Sequence, residues 1–127
     1  MRVNEKTILV AEDEEDIRLL LRAALEAEGY RVIEATTGRD AVSLAGDIRP
    51  QLILMDISLP LLDGLSATRQ IKAEEALRDV PIVAVSAYHA ARRRAIQAGC
   101  ADLIGKPLDF EELKRVVRQL TDVERGH

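Results

Sequence analysis

This chain predicts a doubly wound α/β fold built on a parallel sheet, on three observations. Short apolar runs alternate with amphipathic segments from one end to the other. The runs Ile8–Ala11, Leu52–Met55 and Ile82–Val85 are almost wholly aliphatic, as strands buried on both faces must be. The polar residues that stand out follow the runs rather than precede them: Glu12 and Asp13, Asp56, Ser86 and Lys106. In a doubly wound sheet that edge is where ligands bind.

The elements follow in order. Residues 7–12 read as the first strand and 14–28 as a helix with Ile17, Leu20, Leu21, Ala24 and Leu25 on one face. Gly29 closes it as a C-cap. Residues 31–35 form a short second strand, and Thr37 caps a helix that runs to about Ile48. The third strand is 51–56, between Pro50 and Pro60, and the third helix is 64–77. Pro81 opens the fourth strand, 82–85, and a helix over about 89–98 is ended by Gly99. Residues 101–104 form the fifth strand. Asp109, with Glu112 three residues on, starts the last helix in the manner of a capping box, and Leu113, Val116, Val117 and Leu120 share its apolar face.

The 127 residues suit one domain, enough to bury about two-thirds of the unfolded surface. Aromatics are only 2%, so the core must be aliphatic. A formal net charge of −4 argues against a general nucleic-acid binder, which needs a basic surface. Nothing reaches the about 18 apolar residues of a membrane span, and the first six residues have no apolar signal core. The single cysteine, Cys100, makes no internal disulfide and reads as a small buried hydrophobe. These features fit a reducing cytoplasm. The tail after Leu120 is short, polar and too small for an output domain.

Asp56 leaves a buried strand, and Glu12 and Asp13 leave another. If those strands are neighbours, three carboxylates crowd together and need a cation. Mg²⁺ suits them, because it takes hard oxygen ligands, keeps waters and pairs with phosphate oxygens. Ser86 can donate to a phosphoryl oxygen and Lys106 can neutralise another. These are the parts for phosphoryl transfer to a carboxylate, with Asp56 as the nucleophile.

At this point the chain resembles the receiver domains of two-component response regulators, the CheY-like family. The resemblance rests on ILVAEDEEDIR at 8–18, LILMDISLPLLDG at 52–64, PIVAVSAY at 81–88 and GKPLDFEEL at 105–113. It implies a flavodoxin-like three-layer (βα)5 fold with strand order 2-1-3-4-5, a receiver spanning 6–121, and short tails at 1–5 and 122–127. It implies Asp56 as phosphoacceptor, Asp13 as direct Mg²⁺ ligand, Glu12 acting on the metal through water, and the Ser58 backbone carbonyl as a further ligand. Ser86 matches the hydroxyl switch residue and Lys106 the lysine that meets the phosphoryl group. Pro107 matches the proline after it, whose peptide bond is typically cis. The donor implied is a histidine kinase or histidine phosphotransfer protein. The implied receiver of the signal is a downstream protein at the face made by helix 4, strand 5 and helix 5.

Three positions depart from common family usage. Glu12 stands where Asp is frequent, Leu108 where Phe is frequent, and Leu103 where an aromatic often turns inward on activation. A leucine cannot act as that ring, which shifts the weight of signalling onto Ser86 and the loop after it. Ser58 and Tyr88 match the two variable positions beside the phosphoryl group.

Plainer readings stand beside these. Ser86 can cap the following helix while serving the site. Arg92, Arg93 and Arg94 span most of a helical turn and read as solvated or partner-facing, and His89 as structural or solvated. A phosphatase of the haloacid dehalogenase type needs a second Asp two residues after the nucleophile, and that position is Ser58. A flavin carrier needs a phosphate-binding loop after the first strand, which is missing. A non-phosphorylated adaptor would not need Asp13, Asp56, Ser86 and Lys106 together.

Overall fold

A computed structural model describes residues 6–122, so the expected tail 1–5 and all but Asp122 of the expected tail 122–127 lie outside the described residues. Its elements are β1 (Thr7–Ala11), α1 (Glu15–Ala27), β2 (Arg31–Ala35), α2 (Gly38–Ile48), β3 (Leu52–Asp56), α3 (Gly64–Ala73), β4 (Ile82–Ser86), α4 (Arg92–Ala98), β5 (Asp102–Gly105) and α5 (Phe110–Thr121). The five strands are parallel, in the order β2-β1-β3-β4-β5. Strand order therefore reverses between β1 and β3, and the crevice at their carboxyl ends is the place for a ligand.

The alternation of side chains along each strand divides the core in two. Ile8, Val10, Leu52, Leu54, Val83 and Ile104 pack with Leu21 and Leu25 of α1 and Leu113 and Val117 of α5. Leu9, Ile53, Met55, Ile82, Ala84 and Leu103 face the other way, against Ala41 and Ala45 of α2, Ile71 of α3 and Ala95 of α4. Helices cover both faces, so every residue of β3 and β4 is buried.

Local signals behave as their chemistry requires. The Thr37 hydroxyl accepts from the Asp40 amide at 3.0 Å, and the Asp109 carboxylate accepts from the amides of Glu111 and Glu112. Gly29, just past the end of α1, has φ 95°.

Three expectations need correction. Leu20 is 56% exposed rather than part of the buried face of α1. The buried stripe is centred between Leu21 and Leu25, and Leu20 lies about 100° of helical rotation before Leu21. The third helix stops at Ala73, Glu74 is extended, and a 3₁₀ turn spans Glu75–Leu77. Continued helix would point Leu77 about 120° away from Ile71, off the core; the break lets Leu77 be buried. The fourth helix opens with a 3₁₀ turn, His89–Ala91, before its α-helical part, a common way for a helix to start.

Candidate active site

The β1–β3 register pairs Ala11 with Met55, which brings the residues after each, Glu12 and Asp56, to the same edge of the sheet. The Glu12 amide still donates to the Ala35 carbonyl at 3.0 Å, so Glu12 is held as the last rung of β1. Glu12 is 1% exposed and Asp56 3%, while Asp13 stands exposed at the rim. One carboxylate oxygen from each of Glu12, Asp13 and Asp56 lies within 4.8 Å of the others.

The two oxygens of Asp56 have different partners. Oδ1 accepts from the Ser58 amide at 3.0 Å and the Ser58 hydroxyl at 3.1 Å. Oδ2 accepts from the Lys106 ammonium at 3.2 Å. The same ammonium lies 3.4 Å from Glu12 Oε1. That oxygen is buried and lacks an aligned hydrogen bond, so the ammonium serves it as a charge only. Glu12 Oε2 accepts from the Glu14 amide at 3.1 Å.

Burial pushes the Glu12 carboxyl up to about 7, the Asp56 charge adds to the rise, and the Glu14 amide and Lys106 oppose it. Burial alone would lower the Lys106 pKa, but the charges of Asp56 and Glu12 outweigh it and raise it above the ordinary value. One lysine thus faces two buried acids and a third at the rim, and the cluster stays short of positive charge.

Two loops aim these groups. The guanidinium of Arg18, tied to Glu34 of β2 at 3.1 Å, donates to the carbonyls of Glu12 at 3.1 Å and Asp13 at 3.4 Å. The β3–α3 loop is clamped from α2, where the Gly38 and Arg39 amides donate to the carbonyls of Pro60 and Leu61, both at 3.1 Å. A Cβ on Gly64 would come within 2.1 Å of the Asp56 carbonyl, so only glycine lets α3 start this close to the strand end. The Lys106–Pro107 peptide is cis.

Of the residues singled out from sequence, Glu12, Asp13, Asp56, Ser58 and Lys106 come together. Ser86 ends β4 one residue beyond Val85, the partner of Asp56. Its hydroxyl accepts from the Tyr88 amide at 3.0 Å, so it caps the loop here. Leu103 is buried in the core beside α4. The Ser58 hydroxyl, the Glu14 amide and Arg18 were not legible. Arg18 acts through Glu34, sixteen residues away in sequence, and only the β1–β2 pairing brings them together.

The family model for the response regulator receiver domain matches residues 8–118. This chain belongs to the response regulator receiver family. It is 40% identical over 115 residues to the polar-differentiation response regulator DivK of Brucella anthropi, covering 89% of this chain and 94% of that protein. Its structure resembles the receiver domain of a sensor histidine kinase from Pseudomonas aeruginosa, solved with a magnesium ion coordinated in its active-site cleft. That likeness has a TM-score of 0.87 and 39% identity, over 94% of this chain and 99% of the other. The receiver domain of NtrX from Brucella abortus gives 0.84 and 31%, over 92% and 99%. Receiver domains work in two-component signalling, between histidine kinases or phosphotransfer proteins and downstream effectors.

The donor set fits a hard divalent cation. In an octahedron around Mg²⁺, ligand oxygens stand about 2.9 Å apart when adjacent and about 4.1 Å when opposite. One oxygen from each of the three acids lies within 4.8 Å of the others, a spacing that one ion and its bound waters can bridge. The underbonded Glu12 Oε1 is the clearest mark of the fit.

Proposed function

We propose that this receiver, residues 6–121, accepts a phosphoryl group on Asp56 from a histidine kinase or histidine phosphotransfer protein and passes the signal to a separate protein. The observation that carries this reading is the split environment of Asp56: Ser58 holds one oxygen and Lys106 the other, over two further acids. A buried carboxylate held in one orientation is a placed nucleophile.

Asp13, Asp56 and the Ser58 backbone carbonyl would hold Mg²⁺ directly, with Glu12 acting through water. When bound there, the ion would supply positive charge to offset the acids and the phosphoryl group. A carboxylate oxygen of Asp56 attacks phosphorus, the O–P bond forms, the donor's N–P bond breaks, and its electron pair returns to the imidazole nitrogen. The Lys106 ammonium then moves from carboxylates to a phosphoryl oxygen. Ser86 reaches the phosphoryl group by giving up the Tyr88 amide, and so moves the β4–α4 loop. Water later attacks phosphorus, the Asp56 O–P bond breaks with its electron pair returning to the carboxylate, and inorganic phosphate leaves, so the chemistry is done by the receiver on itself.

With Leu103 already buried, the signal leaves through that loop to a partner on the face of α4, β5 and α5. No nucleic acid is needed, and the setting is the cytoplasm; among the described residues no helix is long and apolar enough to cross a membrane. The dehalogenase-type phosphatase finds no support, since Ser58 is a donor to Asp56 and not an acid.

Acetyl phosphate and Mg²⁺, followed by intact mass, test the reading. Wild type gains one phosphoryl group, while Asp56→Asn and Mg²⁺-free wild type gain none. An adduct on Asp56→Asn, or none on wild type with any donor, overturns it.

A further inference from the structure

We propose that the outer face of α4 is a docking surface for an acidic protein segment, held by Arg92 and Arg93 on either side of an apolar contact at Ile96, with Arg94 adding charge farther round the helix. This adds the partner's chemistry to the output role proposed above, on which it rests.

The three arginines are exposed, and Ile96 is 45% exposed. At about 100° per residue, Ile96 falls between Arg92 and Arg93 on the helix surface. Ala91, Ala95 and Ala98 are buried beneath, so the stripe cannot turn inward. Arg92 is tied to Asp102 of β5 at 2.9 Å, and among the described residues Arg93 and Arg94 have no ion-pair partner.

The placement also opposes helix stability. Arginines fill the first α-helical turn of α4, directly after the His89–Ala91 3₁₀ turn and still near the positive end of the helix dipole, with no acid in that turn and no capping side chain at Ala91. Of the other helices, Glu15 and Asp16 open α1, Asp40 lies in the first turn of α2, Glu111 and Glu112 open α5, and α3, with no acid in its first turn, is capped by the Asp63 carboxylate. A local cost of this kind is expected where a surface serves binding.

Acidic protein fits better than nucleic acid. One turn of cations on a chain of net charge −4 is short for a phosphate track. Ile96 offers nothing to phosphates but matches an apolar side chain, and arginines around an apolar centre are common at protein interfaces.

The test uses the isotope-labelled, unphosphorylated full chain and three probes: a helical peptide presenting leucine flanked by glutamates, its lysine counterpart, and a short DNA duplex. The glutamate peptide is expected to shift the amides of α4 and β5, and the lysine peptide to shift none. Arg93→Glu with Arg94→Glu weakens binding about tenfold or more while raising Tm, Arg93→Gln with Arg94→Gln weakens it less, and Ile96→Ala weakens it about threefold. No binding, equal binding of both peptides, shifts elsewhere, or tighter binding of the duplex through the same arginines overturns the proposal. The peptide result needs no phosphoryl group, and the mass of the Asp56 adduct needs no peptide, so the two readings fail separately.

Discussion

The two edges of the sheet carry opposite charge economies. At the carboxyl edge, Glu12, Asp13 and Asp56 face Lys106, and one buried oxygen lacks a hydrogen bond. At the opposite edge, a cleft of about 310 Å³ is lined by Lys6, Glu28, Gly29, Tyr30, Arg118 and Asp122. There the charges match one to one: Lys6 with Asp122 at 3.3 Å, and Arg118 with Glu28 at 2.9 Å. These pairs are largely exposed, and such pairs contribute little. The difference teaches that a pocket alone does not mark a site. Buried charge left uncompensated does, because only a missing partner justifies its desolvation.

The largest effect is expected where the backbone itself forms the site. Gly64→Ala forces a methyl group against the Asp56 carbonyl, at a cost of about 2–3 kcal/mol in denaturant unfolding, with phosphorylation lost in the surviving fold. A wild-type stability would show that the close approach is not needed.

Next comes the carboxyl edge without metal. Glu12 titrates at about 7 when folded, above its ordinary 4.5, so its contribution is complete below about pH 4.5 and is lost as pH rises through about 7. Metal-free protein should therefore lose several degrees of Tm between about pH 5 and 7. Glu12→Gln should flatten that slope, and Mg²⁺ should reverse it. A slope unchanged by Glu12→Gln would remove Glu12 as its source.

At the balanced edge, Arg118→Ala should leave Tm within about 2 °C of wild type and the Asp56 adduct unchanged. A loss of phosphorylation there would erase the contrast between the edges. The smallest effect runs the other way. Gly46 lies exposed within α2, and a methyl group added there would meet nothing within 4 Å, so Gly46→Ala should stabilise by about 0.5–1 kcal/mol. A loss would show that α2 needs that glycine.

Strands and their edge were legible because a parallel sheet demands continuous apolar runs, and whatever follows a run must lie at one edge. Glu12, Asp56 and Lys106 could be placed at one edge on that basis; that their strands are neighbours was implied only by the family resemblance. Exposure of Leu20 and the break at Glu74 were not, since both depend on where a helix rests on its sheet and not on its own period. Arg18 was missed for a similar reason: it acts through Glu34 on another strand. The Ser86 hydroxyl was read both as cap and as site residue, and the structure holds it as a cap on the Tyr88 amide.

The most direct measurement is to trap the product of Mg²⁺ and acetyl phosphate with borohydride, which reduces an acyl phosphate to the alcohol, and to map the site by peptide sequencing. The account predicts homoserine at position 56 and nowhere else, only when Mg²⁺ is present. A reduced side chain at position 12 or 13, or homoserine at position 56 without Mg²⁺, would contradict it.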